Sequence, residues 1–357
     1  MRIAVLGGGN GAHAAAADLT EQGHEVRWWR RDAAALPRSG ALVLKDARGE
    51  RVVRIPRLCR EMGEAVRGAE LVFMPDPAFT QEDNVARLAP HLESGQAVFL
   101  APGTFGAYAM ARWLRLAGNR AEVAFAETGT LPWLTRKHGA EAVAITARAT
   151  RLPTGVFPAR QRERTLAAIR GAFASVEPVE DALSAALMNA GPVIHPPLIL
   201  MNAGPLEHFE RWDIHKEGTQ PSIRRVTDAL DAERIAARVR LGYVAPHFPL
   251  ADHYRADGDE WMYGRRVHQK LTDSGDWRER VVLAEHRYMR EDVVFGLAFL
   301  VSVCEWTGSS CPVARALLSL AGAVLGRDLR AGPRTLEALG LAGLDAVGLQ
   351  KLLREGS

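Results

Sequence analysis

Along the first half of the chain, short apolar runs alternate with longer amphipathic stretches. Arg2 to Leu6 predicts a first strand, the alanine-rich stretch Asn10 to Gln22 a helix, and His24 to Arg30 a second strand rich in Val and Trp. Together they make one βαβ unit. Further strands are expected at Leu71 to Met74, Ala97 to Leu100, Val123 to Ala126 and Ala142 to Thr146, with room between them for crossover helices. After Val179 the period changes. Asp181 to Met188, Asp228 to Leu241, Trp277 to Arg287, Val293 to Trp306 and Pro312 to Leu325 read as helices with few strands between them. The expected architecture is an α/β domain with a doubly wound, mostly parallel sheet over residues 1–180, followed by a mainly α-helical domain over residues 181–357.

Size and composition agree with that division. The 357 residues exceed what one hydrophobic core usually organises. Hydrophobic residues at 47% and charged residues at 24% are the balance of a globular chain rather than an extended one. Forty-five Lys plus Arg against forty-two Asp plus Glu leave a net charge of +3, too slight for a dedicated nucleic-acid surface. Cys59, Cys304 and Cys311 are scattered with no metal-ligand spacing, so neither a disulfide framework nor a metal site is expected. The opening Met-Arg-Ile-Ala-Val-Leu reads as a strand rather than a secretory leader, and a reducing cytoplasmic setting is expected. The apolar run Val293 to Cys304 is shorter than the roughly 20 residues a membrane-spanning helix needs. The uncharged stretch from Leu183 is interrupted by Pro192, Pro196 and Pro197, so no membrane partner is expected.

The sharpest local signal is Gly7-Gly8-Gly9-Asn10-Gly11-Ala12, directly after the first strand and opening the first helix. Gly7 permits the tight turn, Gly9 leaves room for a pyrophosphate against the backbone, and Ala12 allows close packing of helix on strand. The helix N-terminus presents amide donors and a partial positive charge. Gly7, Gly9, Asn10, Gly11 and Ala12 are therefore candidate dinucleotide-binding residues; the alternative is an ordinary glycine turn. At the end of the second strand, where NAD-preferring sites place an acid, stands Arg30, followed by Arg31 and Asp32. A guanidinium can grip a 2′-phosphate, which points to NADP. On the other reading both arginines are solvated and Asp32 serves NAD.

His195 is the only titratable side chain in the apolar, proline-rich stretch from Asn189 to Met201. A held imidazole there could exchange protons with a reacting group, or be an ordinary core histidine. Asn189 and Asn202 could orient a ligand or bond their own turns. Asp292 stands just before an apolar helix, where an N-cap is the simplest reading. Buried, it could instead hold His195 in one tautomer.

Taken together, these segments resemble the opine dehydrogenases, the octopine and nopaline dehydrogenase family, over most of the chain. Ala126-Glu-Thr-Gly-Thr-Leu-Pro-Trp looks like its Glu-Thr-x-Thr-Leu-Pro segment, and Asn189 to Glu207 like its Asn…His-Pro…Asn-x-Gly region. Glu217-Gly-Thr-Gln-Pro-Ser-Ile, Asp231-Ala-Glu-Arg and Arg287-Tyr-Met-Arg-Glu-Asp292-Val are similar to further family segments, in the same order. The resemblance implies a Rossmann domain, a helical catalytic domain of the 6-phosphogluconate-dehydrogenase-like kind, and an active site in the cleft between them. It implies NAD(P)H-dependent reductive condensation of a 2-oxo acid with an amino acid or amine through an imine. His195 would be the acid/base and Asp292 its partner, with Thr130, Asn202 and Arg287 as candidate substrate contacts.

Arg287 could equally pair with Glu291, and Thr130 could cap a turn. Two departures bear on substrate identity: Asp213-Ile-His-Lys replaces a family-like Phe-Tyr before Glu217-Gly, and Val281-Val-Leu-Ala stands where the family has Gly-Pro. Two other functions share these features, a two-domain 2-oxo acid reductase of the ketopantoate-reductase type and a non-catalytic NADP(H) sensor. The amine partner, the stereochemistry and the assembly, with a homodimer among the alternatives, are left open by the sequence.

Overall fold

The apolar run that opens the chain is buried on both faces, with Ile3, Ala4 and Val5 fully enclosed, as a central parallel strand requires. The structure, a computed structural model, describes residues 1–255, 257, 262–264 and 280–356. It divides into two compact units, Met1–Ala186 with Lys351–Ser357, and Leu187–Gln350.

In the first unit the elements run β1 (Arg2–Leu6), α1 (Asn10–Glu21), β2 (Glu25–Trp29), β3 (Ala41–Asp46), β4 (Gly49–Arg54), β5 (Arg57–Cys59), α2 (Met62–Val66), β6 (Leu71–Met74) and α3 (Gln81–Leu88). They continue with β7 (Ala97–Leu100), α4 (Gly106–Leu116), β8 (Ala124–Thr128), β9 (Trp133–His138), β10 (Ala142–Arg148), β11 (Leu152–Phe157), α5 (Arg162–Arg170), β12 (Val176–Pro178) and α6 (Ala182–Ala186). The main sheet has eight strands in the order β12-β11-β8-β7-β6-β1-β2-β5. All neighbouring pairs are parallel except β8 with β11. Strand order reverses at β1, whose neighbours are β2 on one side and β6 on the other. In such sheets the crevice beyond the carboxyl ends at the reversal is where ligands bind, and the glycine turn after β1 lies there.

A second sheet, β4-β3-β10-β9, corrects the sequence reading of Ala142 to Thr146 as a main-sheet strand. Val143 and Ile145 are buried while Thr146 is exposed, so β10 buries one face only. That face covers α1, on which every residue from Gly11 to Leu19 is buried. Asp18 in the middle of α1 accepts from Trp133 Nε1 at 2.9 Å and from Arg148 Nη2 at 2.6 Å, tying the small sheet to the helix that carries the glycine turn.

The second unit contains α7 (Gly191–Met201), α8 (Ala203–His208), α9 (Pro221–Arg240), a π-helix (Tyr288–Leu297) running directly into α10 (Ala298–Thr307), and α11 (Pro312–Leu325). A last helix, α12 (Ala346–Glu355), closes the chain. The α9 helix starts at Pro221, well before the predicted Asp228, because proline suits the first helical turn. The predicted helix Trp277 to Arg287 is corrected where it can be compared: residues 280–286 are turn and coil, and Trp277 lies outside the described residues. Helix α9 is the scaffold of the unit. Its buried Arg234 donates to Asp231 Oδ1 and to the carbonyls of Leu187, His247 and Phe248, so the charge is fully partnered. Glu233 accepts the amides of Val313 and Ala314, capping α11 from a neighbouring helix. The stretch Ala182–Met201 is long and apolar enough to cross a membrane, but 78% of that window is buried inside the protein and two helices share it.

Candidate active site

In the first unit the glycine turn has the backbone the sequence asks for. Gly7 has φ +128°, a region L side chains avoid, and its amide donates to Trp29 O at 2.9 Å, while Trp28 Nε1 donates to Gly7 O at 2.9 Å. A side chain at Gly7 would strike Asp76, and one at Gly11 would strike Pro75 and Leu131. At Gly9, by contrast, an added Cβ meets nothing within 4 Å, and this residue is the N-cap of α1. No side chain caps that helix end and its first turn holds no acid. This is a helix N-terminus open to an anion, and it fits the phosphates of a dinucleotide. Asn10 Oδ1 accepts from Lys137 N at 3.1 Å, so its side chain ties α1 to β9. Ala12 is buried, as close packing requires.

Arg30 follows β2 directly and lies beside the turn: a Cβ at Gly8 would come within 2.8 Å of its guanidinium. Its Nη1 donates to Ala35 O at 2.9 Å, which orients the group. Arg31 points elsewhere and faces Asp83 at 3.9 Å on an exposed surface. Asp32, the alternative ribose ligand, accepts from Ala34 N at 3.1 Å as the cap of a short 3-10 turn. Sequence reasoning missed Glu127, whose enclosed carboxylate accepts the amides of Phe105 at 2.8 Å and Ala107 at 2.6 Å and so caps α4 from β8. Thr130 lies half-buried in the turn after β8.

In the second unit His195 and Asp292, 97 positions apart in sequence, are in contact, with Nδ1 2.8 Å from Oδ2. The imidazole is 15% exposed and the carboxylate 7%. His195 is on α7, where Pro196 and Pro197 remove two N–H donors from the helix immediately after it. Asp292 lies inside the π-helix rather than at a helix start, which overturns its reading as an N-cap. The close approach depends on two glycines. A Cβ at Gly191 would lie 2.1 Å from Asp292 Oδ1, and one at Gly296 would lie 2.2 Å from Pro192 Cγ. π-Helical turns are rare and are found frequently at functional sites.

Burial pulls the His195 imidazole well below its ordinary value, and the Arg287 guanidinium adds to this. Burial also pushes the Asp292 carboxyl up, against the pull of Arg287 and His286. Both directions disfavour charge. In its neutral form the imidazole can direct Nδ1–H to Asp292 and leave Nε2 as a proton acceptor. Arg287, 48% exposed, has its Nε 3.8 Å from Glu291 Oε2. Asn202 is engaged within its own unit: it donates to Leu198 O at 2.8 Å and Gly218 O at 3.1 Å and accepts from Trp212 Nε1 at 3.1 Å.

Residues 178–325, which carry this pair, match the family described as NAD/NADP octopine/nopaline dehydrogenase, alpha-helical domain. The chain is 28% identical over 355 residues to an opine dehydrogenase of Arthrobacter sp. (strain 1C), covering 97% of each. Along nearly its whole length this chain is thus similar to opine dehydrogenases. Its fold is also that of an octopine dehydrogenase solved with NADH and agmatine, with a TM-score of 0.74 and 18% identity over 99% of this chain and 98% of that one. A yersinopine dehydrogenase solved with NADP+ shares the fold at a TM-score of 0.64 and 16% identity, over 99% of this chain and 98% of that one. Opine dehydrogenase folds thus accommodate either nicotinamide dinucleotide. The segments Asp231-Ala-Glu-Arg and Glu127-Thr, read from sequence only as likeness, have structural roles here: they hold the chain at Leu250 and the starts of α11 and α4.

Proposed function

We propose that this protein is an opine dehydrogenase, an NAD(P)-dependent oxidoreductase acting on CH–NH groups, which condenses a 2-oxo acid with the amino group of an amino acid or amine and reduces the resulting imine to a secondary amine. The observation that carries this reading is the shielded His195–Asp292 pair within the helical domain of the family. The bound nicotinamide supplies the hydride. When the amine nitrogen adds to the oxo-acid carbonyl, Nε2 of neutral His195 takes up the proton the nitrogen sheds. As imidazolium, His195 returns that proton to the carbonyl-derived oxygen to give the carbinolamine hydroxyl, and a second proton, taken up from solution and delivered the same way, lets that hydroxyl leave as water and gives a protonated imine that the hydride converts to the secondary amine. Asp292 orients the ring and favours the imidazolium while it exists. Arg287 is suited to hold the oxo-acid carboxylate through its exposed guanidinium edge, and Thr130 is a further candidate contact.

NADP is the preferred cofactor on this reading. Arg30 stands next to the glycine turn with its orientation held, and Asp32 is engaged as a cap, so the position after β2 is suited to a phosphate rather than a bare ribose. The test is a matrix of NADPH and NADH against 2-oxo acids and amines with the purified protein. NADPH oxidation that needs both partners is expected. Full-rate oxidation with oxo acid alone would identify a ketopantoate-type reductase instead, and nucleotide binding without turnover in any combination would identify a sensor.

A further inference from the structure

A hydrogen bond through one ring nitrogen leaves an imidazole free to swing about that bond. In this protein the swing is blocked. The Tyr288 ring lies against the His195 ring with centroids 3.6 Å apart and planes 7° from parallel. Tyr288 is 3% exposed and its hydroxyl is 2.7 Å from His215 Nε2. His215 is itself buried, and its amide donates to Asp213 Oδ1 at 3.1 Å. Tyr288 and Asp292 are four residues apart on the π-helix, so a single element holds the imidazole by its face and by its edge.

We propose that Tyr288 is a positioning residue for His195, and that His215 positions Tyr288 in turn. The inference rests on His195 acting as the proton carrier of the proposed reaction. Stacking sets the plane of the ring, the Asp292 contact sets its rotation in that plane, and together they aim Nε2 in one direction. The tyrosine also shields one face of the imidazole from water. Among the described residues, the charged and titratable groups around the pair include Asp292, Arg287, Glu291 and His286 on the same segment, with Arg287 Cζ 5.9 Å from the Tyr288 ring centre and His286 edge-on to it at 4.5 Å, His215 from the α8–α9 connection, and Tyr263, which acts on Arg287. His215 belongs to Asp213-Ile-His-Lys, the segment in which this chain departs from the family-like pattern, so the outer part of the clamp is a feature of this sequence.

Tyr288→Leu removes the stacked ring, Tyr288→Phe keeps it without the hydroxyl, and His215→Gln removes the anchor behind it. Each is compared with wild type for kcat, KM of the oxo acid, NADPH affinity and the pH dependence of kcat/KM. Thermal unfolding checks that each variant folds. In parallel, the 13Cε1 resonance of His195, assigned by its loss in His195→Asn, is titrated in the full-length protein.

Tyr288→Leu is expected to lose roughly 10- to 100-fold in kcat, the scale of a small misplacement of a reacting group, with KM and NADPH affinity within about threefold. Its His195 titration should move up towards the ordinary histidine range as water reaches the exposed face. Tyr288→Phe should restore at least about a third of kcat and leave the titration in place. His215→Gln should match Tyr288→Phe and add nothing to it in the double variant, and this arm decides the matter if Tyr288→Leu does not fold. Wild-type kcat and titration in Tyr288→Leu would overturn the proposal. So would a Tyr288→Phe as damaged as Tyr288→Leu, since that would make the hydroxyl itself a reacting group. If no amine and oxo acid pair is turned over by wild type, the opine reading fails, while the His195 titration still tests the clamp.

Discussion

Lowering the pH from 7 to 5 should loosen the unit that carries the glycine turn, through one histidine. His13, on the first turn of α1, has no exposed surface. Its Nδ1 lies 2.9 Å from Gly9 O, its ring meets Trp28 edge-on at 4.8 Å, and its Nε2 is buried with no hydrogen-bond partner. A proton added there would place a charge inside the core, which the Gly9 and Ala140 carbonyls offset only in part. Burial is the main reason the group falls from 6.5 to about 4, with the positive charges of Lys137 and Arg30 acting in the same direction.

The sign follows from proton counting. Between pH 6.5 and pH 4 the unfolded chain binds a proton at this site that the folded protein refuses, so stability is present above that window and declines as pH falls through it. At 1.36 kcal/mol per pH, the whole window is worth about 3 kcal/mol, and the step from pH 7 to pH 5 about 2 kcal/mol. Native-state hydrogen exchange of the α1 amides reads this locally, without requiring both units to unfold together. Wild-type α1 protection should fall by about 2 kcal/mol over that step, and His13→Gln should lack this component. Equal pH slopes in wild type and His13→Gln would refute the reasoning, because the acid sensitivity would then belong to other groups.

Three further outcomes follow from the geometry. His195→Ala should lower turnover by about 10² to 10⁴ while NADPH affinity, measured by fluorescence titration, is unchanged; intact turnover would remove the acid/base role. Gly191→Ala places a methyl where the Asp292 carboxylate stands and should depress kcat by more than about tenfold in a folded protein, and a crystal structure of the variant would show the carboxylate displaced from His195. Arg30→Ala should reduce the kcat/KM preference for NADPH over NADH by about 10- to 100-fold, the worth of a charge-assisted hydrogen bond, and an unchanged ratio would end the NADP assignment.

Much of this was legible along the chain because it is local. The glycine turn, its flanking strands and the helix between them depend on neighbouring residues, and Pro312 to Leu325 is helical over the span its apolar period predicts. What escaped was non-local. Asp292 looks like a cap because an apolar run follows it, yet the helix begins four residues earlier at Tyr288, and no period of 3.6 announces a π-helix. Strands β3, β4 and β9 carry charged residues at successive positions, which breaks the alternation of a half-buried strand, and they are held by α1 and by the Asp18, Asp46 and Arg148 bonds, none of which a linear pattern encodes. Glu127, His215 and Tyr288 stood inside or beside segments the family likeness had already marked. Their partners lie 20, 73 and 93 positions away, and only the folded chain reveals them.

The main sheet ends in two very short strands, β12 (Val176–Pro178) and β5 (Arg57–Cys59). One finishes in proline, which has no amide to offer, and the other opens with an arginine. A growing ribbon of copies joined rim to rim would find almost no ladder to extend. Copies meeting at the rims of this sheet would therefore have to hold each other by side-chain surfaces instead of backbone, a form of contact that evolution can tune one residue at a time.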